Sequence, residues 1–352
     1  MLKRKKKFLQ KRYIAGLGFI ILIVGIVIAY NIYDKIYGSN IELKDKEYDY
    51  LYIPTGATKE DVLRIIDASD RIQNMDDFKW LAEKKNYYSH INPGRYQIKE
   101  GMSNNALINK LRAGRQDPVD VIFNNIRLKP ELAGVVSKQI EADSVDILQL
   151  INDRDFLGKY EFTPQTVPAM FIPNTYEFYW NTSARKFIER MHGEFHRFWD
   201  GEKNRKAEDI GLTPVEVTTL ASIVEEETTK EDEMPKIAGV YMNRLDLGMR
   251  LQADPTIKFA IGDFSVNRIL DKYLEIDSPY NTYKYAGLPP GPISFPPIAA
   301  IEAVLNYENH DYLYFAAKPD FSGYHNFSRT HRQHIINARK YQKALNERKI
   351  ME

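Results

Sequence analysis

Three consecutive glutamates, Glu225, Glu226 and Glu227, close an apolar stretch that starts at Leu212 and runs through Val217, Leu220, Ala221, Ile223 and Val224. A carboxyl group at an apolar boundary loses solvation, and its pKa rises toward neutral. A general acid working near neutral pH needs that shift. The stretch is a helix candidate with three agreeing start signals: Thr213 as N-cap, Pro214 at the first helical position, and Glu216 three residues after the cap.

At about 100° per residue, Val217, Leu220, Ala221, Ile223 and Val224 share one apolar arc. Glu226 falls opposite that arc and is expected in solvent. Glu227 falls inside it, near Leu220 and Val224. Glu225 lies at its edge, one turn after Ala221, where a small side chain leaves room. Glu225 and Glu227 point roughly 200° apart on a regular helix. They cannot flank one scissile bond from neighbouring positions, which argues against a two-carboxylate glycosidase built on this helix alone. Spacing does not choose between Glu225 and Glu227. The plainer alternative is a buried, paired Glu227 and a surface Glu225.

Polar and aromatic groups follow. Ile237, Val240, Tyr241, Arg244 and Leu245 keep helical spacing up to Gly248, with Asn243 and Arg244 near the stop. Those two fit helix capping and an ion pair, for which Glu227 is a candidate partner. The Asp254-Pro255 step predicts a loop, on which Gln252 and Asp254 could bind sugar hydroxyls and N-acetyl groups. Tyr280, Asn281, Thr282 and Tyr283 precede the turn-rich Gly287-Leu-Pro-Pro-Gly291. Rigid loops with such side chains suit a polysaccharide groove, although each is also ordinary turn chemistry.

Other chemistries fit poorly. Cysteine is absent, which excludes disulfides and thiolate sites. His192 and His196 are four apart, but the glutamate between them is misplaced for the zinc-protease motif. His325, His331 and His334 read as hydrogen-bonding or packing residues, so no metal or cofactor is expected. A net charge of +1 gives no field for nucleic acid, and phosphate-loop and serine-hydrolase motifs are missing.

The elements that carry these residues fall into an α+β pattern. Residues 1–13 hold a block of lysine and arginine, and residues 14–33 are almost purely apolar. The length suits a membrane-spanning helix. The basic block predicts a cytoplasmic N-terminus and an extracytoplasmic remainder. Residues 34–47 are polar and aperiodic, a spacer. Residues 48–118 read as a small β-α-α-β unit followed by a helix capped by Ser103, either a carbohydrate-binding module or a spacer domain. Residues 119–352 read as a larger mixed α/β domain. It closes with a hairpin over 312–328 and a helix whose capping box is Thr330 with Gln333.

As a set, Ala221-Ser-Ile-Val-Glu-Glu-Glu-Thr228, Asn243-Arg-Leu245, Leu251-Gln-Ala-Asp-Pro-Thr256, Tyr280-Asn-Thr-Tyr283, Gly287-Leu-Pro-Pro-Gly291, Tyr312-Leu-Tyr-Phe315 and His325 with Phe327 resemble the endolytic murein transglycosylase (MltG, YceG-like) family. The resemblance spans the anchor, the small unit and the large domain. It implies a single-pass protein of the bacterial inner membrane, with a LysM-like subdomain at 48–118 and a catalytic domain at 119–352. It implies a lyase that cuts N-acetylmuramic acid–N-acetylglucosamine bonds within peptidoglycan strands, leaves 1,6-anhydro ends, and works beside cell-wall synthesis enzymes. Glu225 maps to the catalytic glutamate. Glu227 maps to a supporting position, and the other polar residues named above fall in matching segments. One departure is Asn174, where the family usually carries aspartate; asparagine can hydrogen-bond but carries no charge. Two other activities remain open: a glycoside hydrolase pairing Glu225 with Asp254, and a tethered wall-binding scaffold without turnover.

Overall fold

The computed structural model describes residues 2–266 and 269–348, and the side chains from residue 12 onward. It separates into two compact units. The first holds residues 1–119 together with 177–181, and the second holds 120–176 and 182–352.

The first unit begins with helix α1 (Leu2–Tyr37). Within it, Arg12–Tyr37 is 26 residues long, apolar, and has none of its most apolar window buried by the protein. Its length and composition are compatible with a single membrane-spanning anchor. Strand β1 (Tyr48–Ile53), helices α2 (Lys59–Ala68) and α3 (Met75–Lys84), strand β2 (Gly94–Lys99) and helix α4 (Asn104–Arg112) follow. Local signals set these boundaries. Thr58 and Asp61 form the reciprocal capping box of α2, and Ser103 caps α4. β1 pairs antiparallel with β2, with Leu51 opposite Tyr96. Ile53, Ile66, Phe78, Tyr96, Ile98 and Leu107 fill the core beneath. The excursion at 177–181 joins this unit, a return that the expected 119–352 domain did not include. There Trp180 packs edge-on against Tyr52 with centroids 5.1 Å apart.

Residues 34–47, expected as a spacer, contribute Asn40, Ile41 and Leu43 to this core. α1 continues through Tyr37, and Ile41 and Leu43 are buried. Asn40 explains how a polar segment is accommodated. Its side-chain amide donates to the Asn104 side chain at 2.7 Å and to the Asn74 carbonyl at 3.0 Å, while its oxygen accepts from the Asn74 amide at 2.8 Å. Asn104 in turn donates to the Lys35 carbonyl at the end of α1, at 3.0 Å. Polar composition concealed a buried network in which the donors and acceptors of these two side chains find partners.

The second unit contains β3 (Val119–Phe123, its first residue at the boundary), α5 (Lys129–Ser137), α6 (Ser144–Leu150), α7 (Arg154–Gly158), β4 (Asn174–Phe178, its last two residues counted with the first unit), α8 (Ala184–Phe198) and α9 (Gly201–Asp209). It continues with α10 (Pro214–Glu227), α11 (Met234–Asp246), α12 (Asp254–Ile261), α13 (Asp271–Leu274), α14 (Ile298–Leu305), β5 (Tyr314–Ala317), β6 (His325–Ser328) and α15 (His331–Glu347). β3 pairs with β4 and β5 with β6, so the unit is α+β with short sheets. Thr330 caps α15 by accepting from the Gln333 amide. The Gln333 side chain turns to Asn337 at 3.3 Å, so only half of the expected capping box forms.

α10 lies at the centre of this unit, packed against α14, α11, α12, α9 and the short 3-10 turn at Val167–Met170. It is buried on every side from Val217 to Val224, wider than the expected arc. Thr218, Thr219 and Ser222 make that possible. Each hydroxyl donates back to a carbonyl of its own helix, those of Pro214, Val215 and Thr219, at 2.7–2.8 Å. A hydroxyl bonded in this way enters a core without an unmet donor.

Substituting Asn40 by Ala leaves the buried Asn104 side chain and the backbone of Asn74, the N-cap of α3, without these partners. The expected cost is about 1–3 kcal/mol, read as a lower denaturant midpoint of the full chain in detergent. Amide exchange should rise first across residues 34–47. Unchanged exchange there would show that the network does not hold the segment.

Candidate active site

The last turn of α10 sends its three carboxylates to three different partners. The Ser294 hydroxyl donates to Glu225 Oε2 at 2.7 Å. Arg127 grips both oxygens of Glu226 at 2.6 Å. The Tyr241 hydroxyl, on α11, donates to Glu227 Oε1 at 2.7 Å. Glu226 is therefore ion-paired, not simply solvated as the wheel suggested. Its partner comes from 99 residues upstream, beyond the reach of any local pattern.

Ser294 is positioned by a segment pinned to α10. The Ile293 amide donates to Ser222 Oγ at 3.0 Å, and Phe295 is buried. Gly291 passes directly against the Gln165 carbonyl, where a side chain would collide with backbone. The turn-rich motif thus places a serine on a carboxylate. The sequence carried no signal for Ser294 or Arg127.

Glu225 and Glu227 both have raised pKa values. For Glu225, burial pushes the carboxyl up and the neighbouring Glu226 adds to it, while the Ser294 hydrogen bond and Arg127 pull it back. Glu227 is pushed up to about 7, chiefly by burial and then by Asp254, against the pull of the Tyr241 hydrogen bond, Arg244 and Lys258.

A cavity of about 350 Å³ opens beside Glu227, with Gln252, Asp254, Tyr283 and Arg244 among its lining residues. Glu225 is not among them, so the groove expected at Glu225 is centred on its neighbour two residues on. The cause is helical geometry, since residues two apart face opposite ways. Tyr283 donates to Asp254 Oδ1 at 2.5 Å. Asp254 itself opens α12, so the Asp254-Pro255 step starts a helix instead of a loop. Proline is well suited to a first helical turn. Gln252 sits at φ +48, a left-handed turn beside the cavity. Arg244 is buried, and it donates to the Leu251 carbonyl at 2.5 Å and the Leu313 carbonyl at 2.7 Å. It acts on Glu227 as a nearby positive charge, while its hydrogen bonds brace the cavity wall.

Four expected binding residues serve the scaffold or another cavity. Asn243 donates to the carbonyls of His310 and Tyr312 at 2.6 and 3.0 Å. Asn281 is fully buried and donates to the carbonyls of Leu274 and Ile276, both at 2.9 Å. Thr282 meets Thr256 at 2.8 Å and accepts from the Ala253 amide at 3.0 Å. Tyr280 packs against Phe259, tilted by 48° with centroids 4.6 Å apart, in a separate cavity of about 380 Å³ that also includes Arg127 and Phe295. Short polar side chains in tight loops satisfy backbone groups first. Asn174 is exposed and accepts from the Thr175 amide at 2.8 Å, a local turn contact. His331 and His334, expected only to pack or hydrogen-bond, also line the Glu227 cavity.

Glu227 links stability to pH. Its pKa in the fold lies above 4.5, so the folded chain holds this proton more tightly than the unfolded chain. The stabilisation is full below about 4.5 and is lost as pH rises through about 7. Replacing Glu227 by Gln should flatten the fall in Tm across that window. An equally steep fall in the variant would remove Glu227 as its source.

The YceG-like family model matches residues 51–340. An endolytic murein transglycosylase of Bacillus subtilis (strain 168) is 30% identical over 334 residues, covering 90% of this chain and 91% of that protein. Another of that name, from Streptococcus pneumoniae, is 27% identical over 79% of this chain, which spans 55% of that longer protein. A crystal structure of a YceG-like protein from Listeria monocytogenes superposes with a TM-score of 0.54 at 28% identity, covering 83% of this chain and 99% of that one. With its fold, its glutamate helix and its matched length in agreement, the chain belongs to the YceG-like family.

Proposed function

We propose that the second unit is a peptidoglycan lytic transglycosylase with Glu225 as its acid and base. The observation that carries this is a half-buried carboxyl with a raised pKa, oriented by a single serine hydroxyl at the end of a fully packed helix. The B. subtilis relative, similar along nearly its whole length, is an endolytic murein transglycosylase and supports the substrate class.

The chemistry needs one carboxyl group. Protonated Glu225 gives its proton to the oxygen bridging N-acetylmuramic acid and N-acetylglucosamine. The bond from C1 to that oxygen breaks, leaving an oxocarbenium-like centre at C1. The C6 hydroxyl of the same muramyl residue attacks C1, and the carboxylate takes the hydroxyl proton. A 1,6-anhydro ring closes, Glu225 ends protonated, and no water is consumed. Burial favours the protonated starting state, while Ser294 steadies the ionised form reached midway.

The membrane arrangement follows the same reading. The basic N-terminal segment stays in the cytoplasm, the apolar part of α1 crosses the inner membrane, and the remainder of the chain faces the wall. The first unit serves as a LysM-like module beside the glycan, within reach of the enzymes that synthesise the strands.

A second assignment has its own support. Glu227 lines the cavity, its pKa is near 7, and Asp254 is its neighbour there. That carboxylate pair would suit hydrolysis with water as the acceptor.

Mass spectrometry of digested peptidoglycan separates the readings. Glu225→Gln should cut formation of anhydro products by about 10²–10⁴-fold, with the chain still folded. Anhydro product persisting in Glu225→Gln but lost in Glu227→Gln would transfer the role to Glu227. Uptake of heavy oxygen from labelled water would indicate a hydrolase, and a wild-type chain without turnover would indicate a scaffold. Ser294→Ala removes a hydrogen bond that favours the ionised carboxylate. The alkaline limb of the pH–rate profile should therefore move to higher pH, and a limb that stays in place would show that Ser294 does not tune the acid.

A further inference from the structure

His331 and His334 lie one turn apart on α15 and both line the cavity of Glu227, with ring centroids 6.2 Å apart. The plane of His334 is set by packing. It stacks on Tyr314 at 5.5 Å and 27°, and Tyr314 also carries the Arg244 guanidinium at 5.2 Å. The imidazole is thus a fixed part of the cavity wall.

Its two nitrogens differ. Nδ1 is buried and has no hydrogen-bond partner among the described residues. A buried orphan N–H is rarer and costlier than an unused lone pair. Nδ1 therefore carries the lone pair, and the proton sits on Nε2. Burial, followed by the charges of His331 and Arg244, lowers the pKa and keeps the ring neutral. Nε2 is not among the buried unpartnered atoms, which leaves it as the ring nitrogen available to a ligand. A neutral, oriented N–H matches an uncharged sugar oxygen. Tyr314 and Phe315 on the same wall offer aromatic surface for the apolar face of a pyranose ring.

We propose that His334 is a substrate-positioning residue whose Nε2–H donates to a hydroxyl or acetamido carbonyl oxygen of an N-acetylhexosamine unit seated in the cavity beside Glu227. This rests on the reading that the second unit takes glycan strands. The hydrogen bond fixes which sugar occupies the cavity and hence the register of the strand across the acidic turn of α10.

The test uses the full chain in detergent and a soluble, uncrosslinked peptidoglycan oligosaccharide, with kcat and KM measured separately. The amide nitrogen of glutamine can take the place of imidazole Nε2, whereas that of asparagine reaches only as far as Nδ1. His334→Ala and His334→Asn should raise KM about three- to tenfold, the range of one neutral hydrogen bond, with kcat within about twofold. His334→Gln should restore KM. An unchanged KM in all three, rescue by Asn instead of Gln, or a fall in kcat alone would overturn the assignment. If the Ala variant does not fold, the Gln and Asn pair decides. If none folds, imidazole nitrogen shifts of His334 are followed in Glu225→Gln on adding the oligosaccharide. A moving Nε2 supports the proposal, and a still one defeats it. A wild-type chain that makes no anhydro product defeats the functional reading itself. An active wild type with an indifferent His334 defeats only this inference.

Discussion

Helical rotation at the end of α10 governs the chemistry of the second unit. Successive residues turn by about 100°, so three adjacent carboxylates cannot share an environment. Each meets a different wall: Ser294 at Glu225, Arg127 at Glu226, and Tyr241 at Glu227. The walls differ in charge and burial, and burial raises the pKa of Glu225 and of Glu227. Holding that rotation fixed requires a helix that cannot shift, and burial of α10 from Val217 to Val224 supplies the rigidity.

Burial on all sides has a chemical consequence at the helix end. Buried apolar groups contribute roughly 1.5–3 kcal/mol each, and the hydroxyls along α10 are satisfied within the helix itself. The polar demand of the core is thereby concentrated at the last turn. Arg127 pairs with Glu226, and burial raises the pKa values of Glu225 and Glu227. Arg244 illustrates the same economy. It spends its hydrogen bonds on the carbonyls of Leu251 and Leu313 and still acts on Glu227 through its charge.

The first unit follows a comparable rule where α1 ends. Asn40 and Asn104 tie the end of α1 to the turns before α3 and at the start of α4. The end of α1 is therefore tied to its unit by side-chain hydrogen bonds. A polar, aperiodic stretch hid this, because side-chain amides that pair with one another leave no trace in hydropathy.

Local physics was legible in the sequence. The caps at Ser103 and Thr213 and the stop at Gly248 depend on neighbours within a few residues, and each stands where its pattern put it, whereas the apolar helix runs past the expected 14–33 to Tyr37. The wheel likewise separated Glu225 from Glu227 correctly. Long-range contacts decided the rest. The Arg127–Glu226 pair, the Ser294 hydroxyl on Glu225 and the histidines of α15 join residues that lie far apart in the chain. Asn243, Asn281 and Thr282 suggested ligand contacts by type, but the backbone carbonyls and amides folded around them claimed their polar groups first. A residue's type sets what it can bond to. Which partner it meets depends on how distant segments pack, and no pattern of neighbouring residues encodes that.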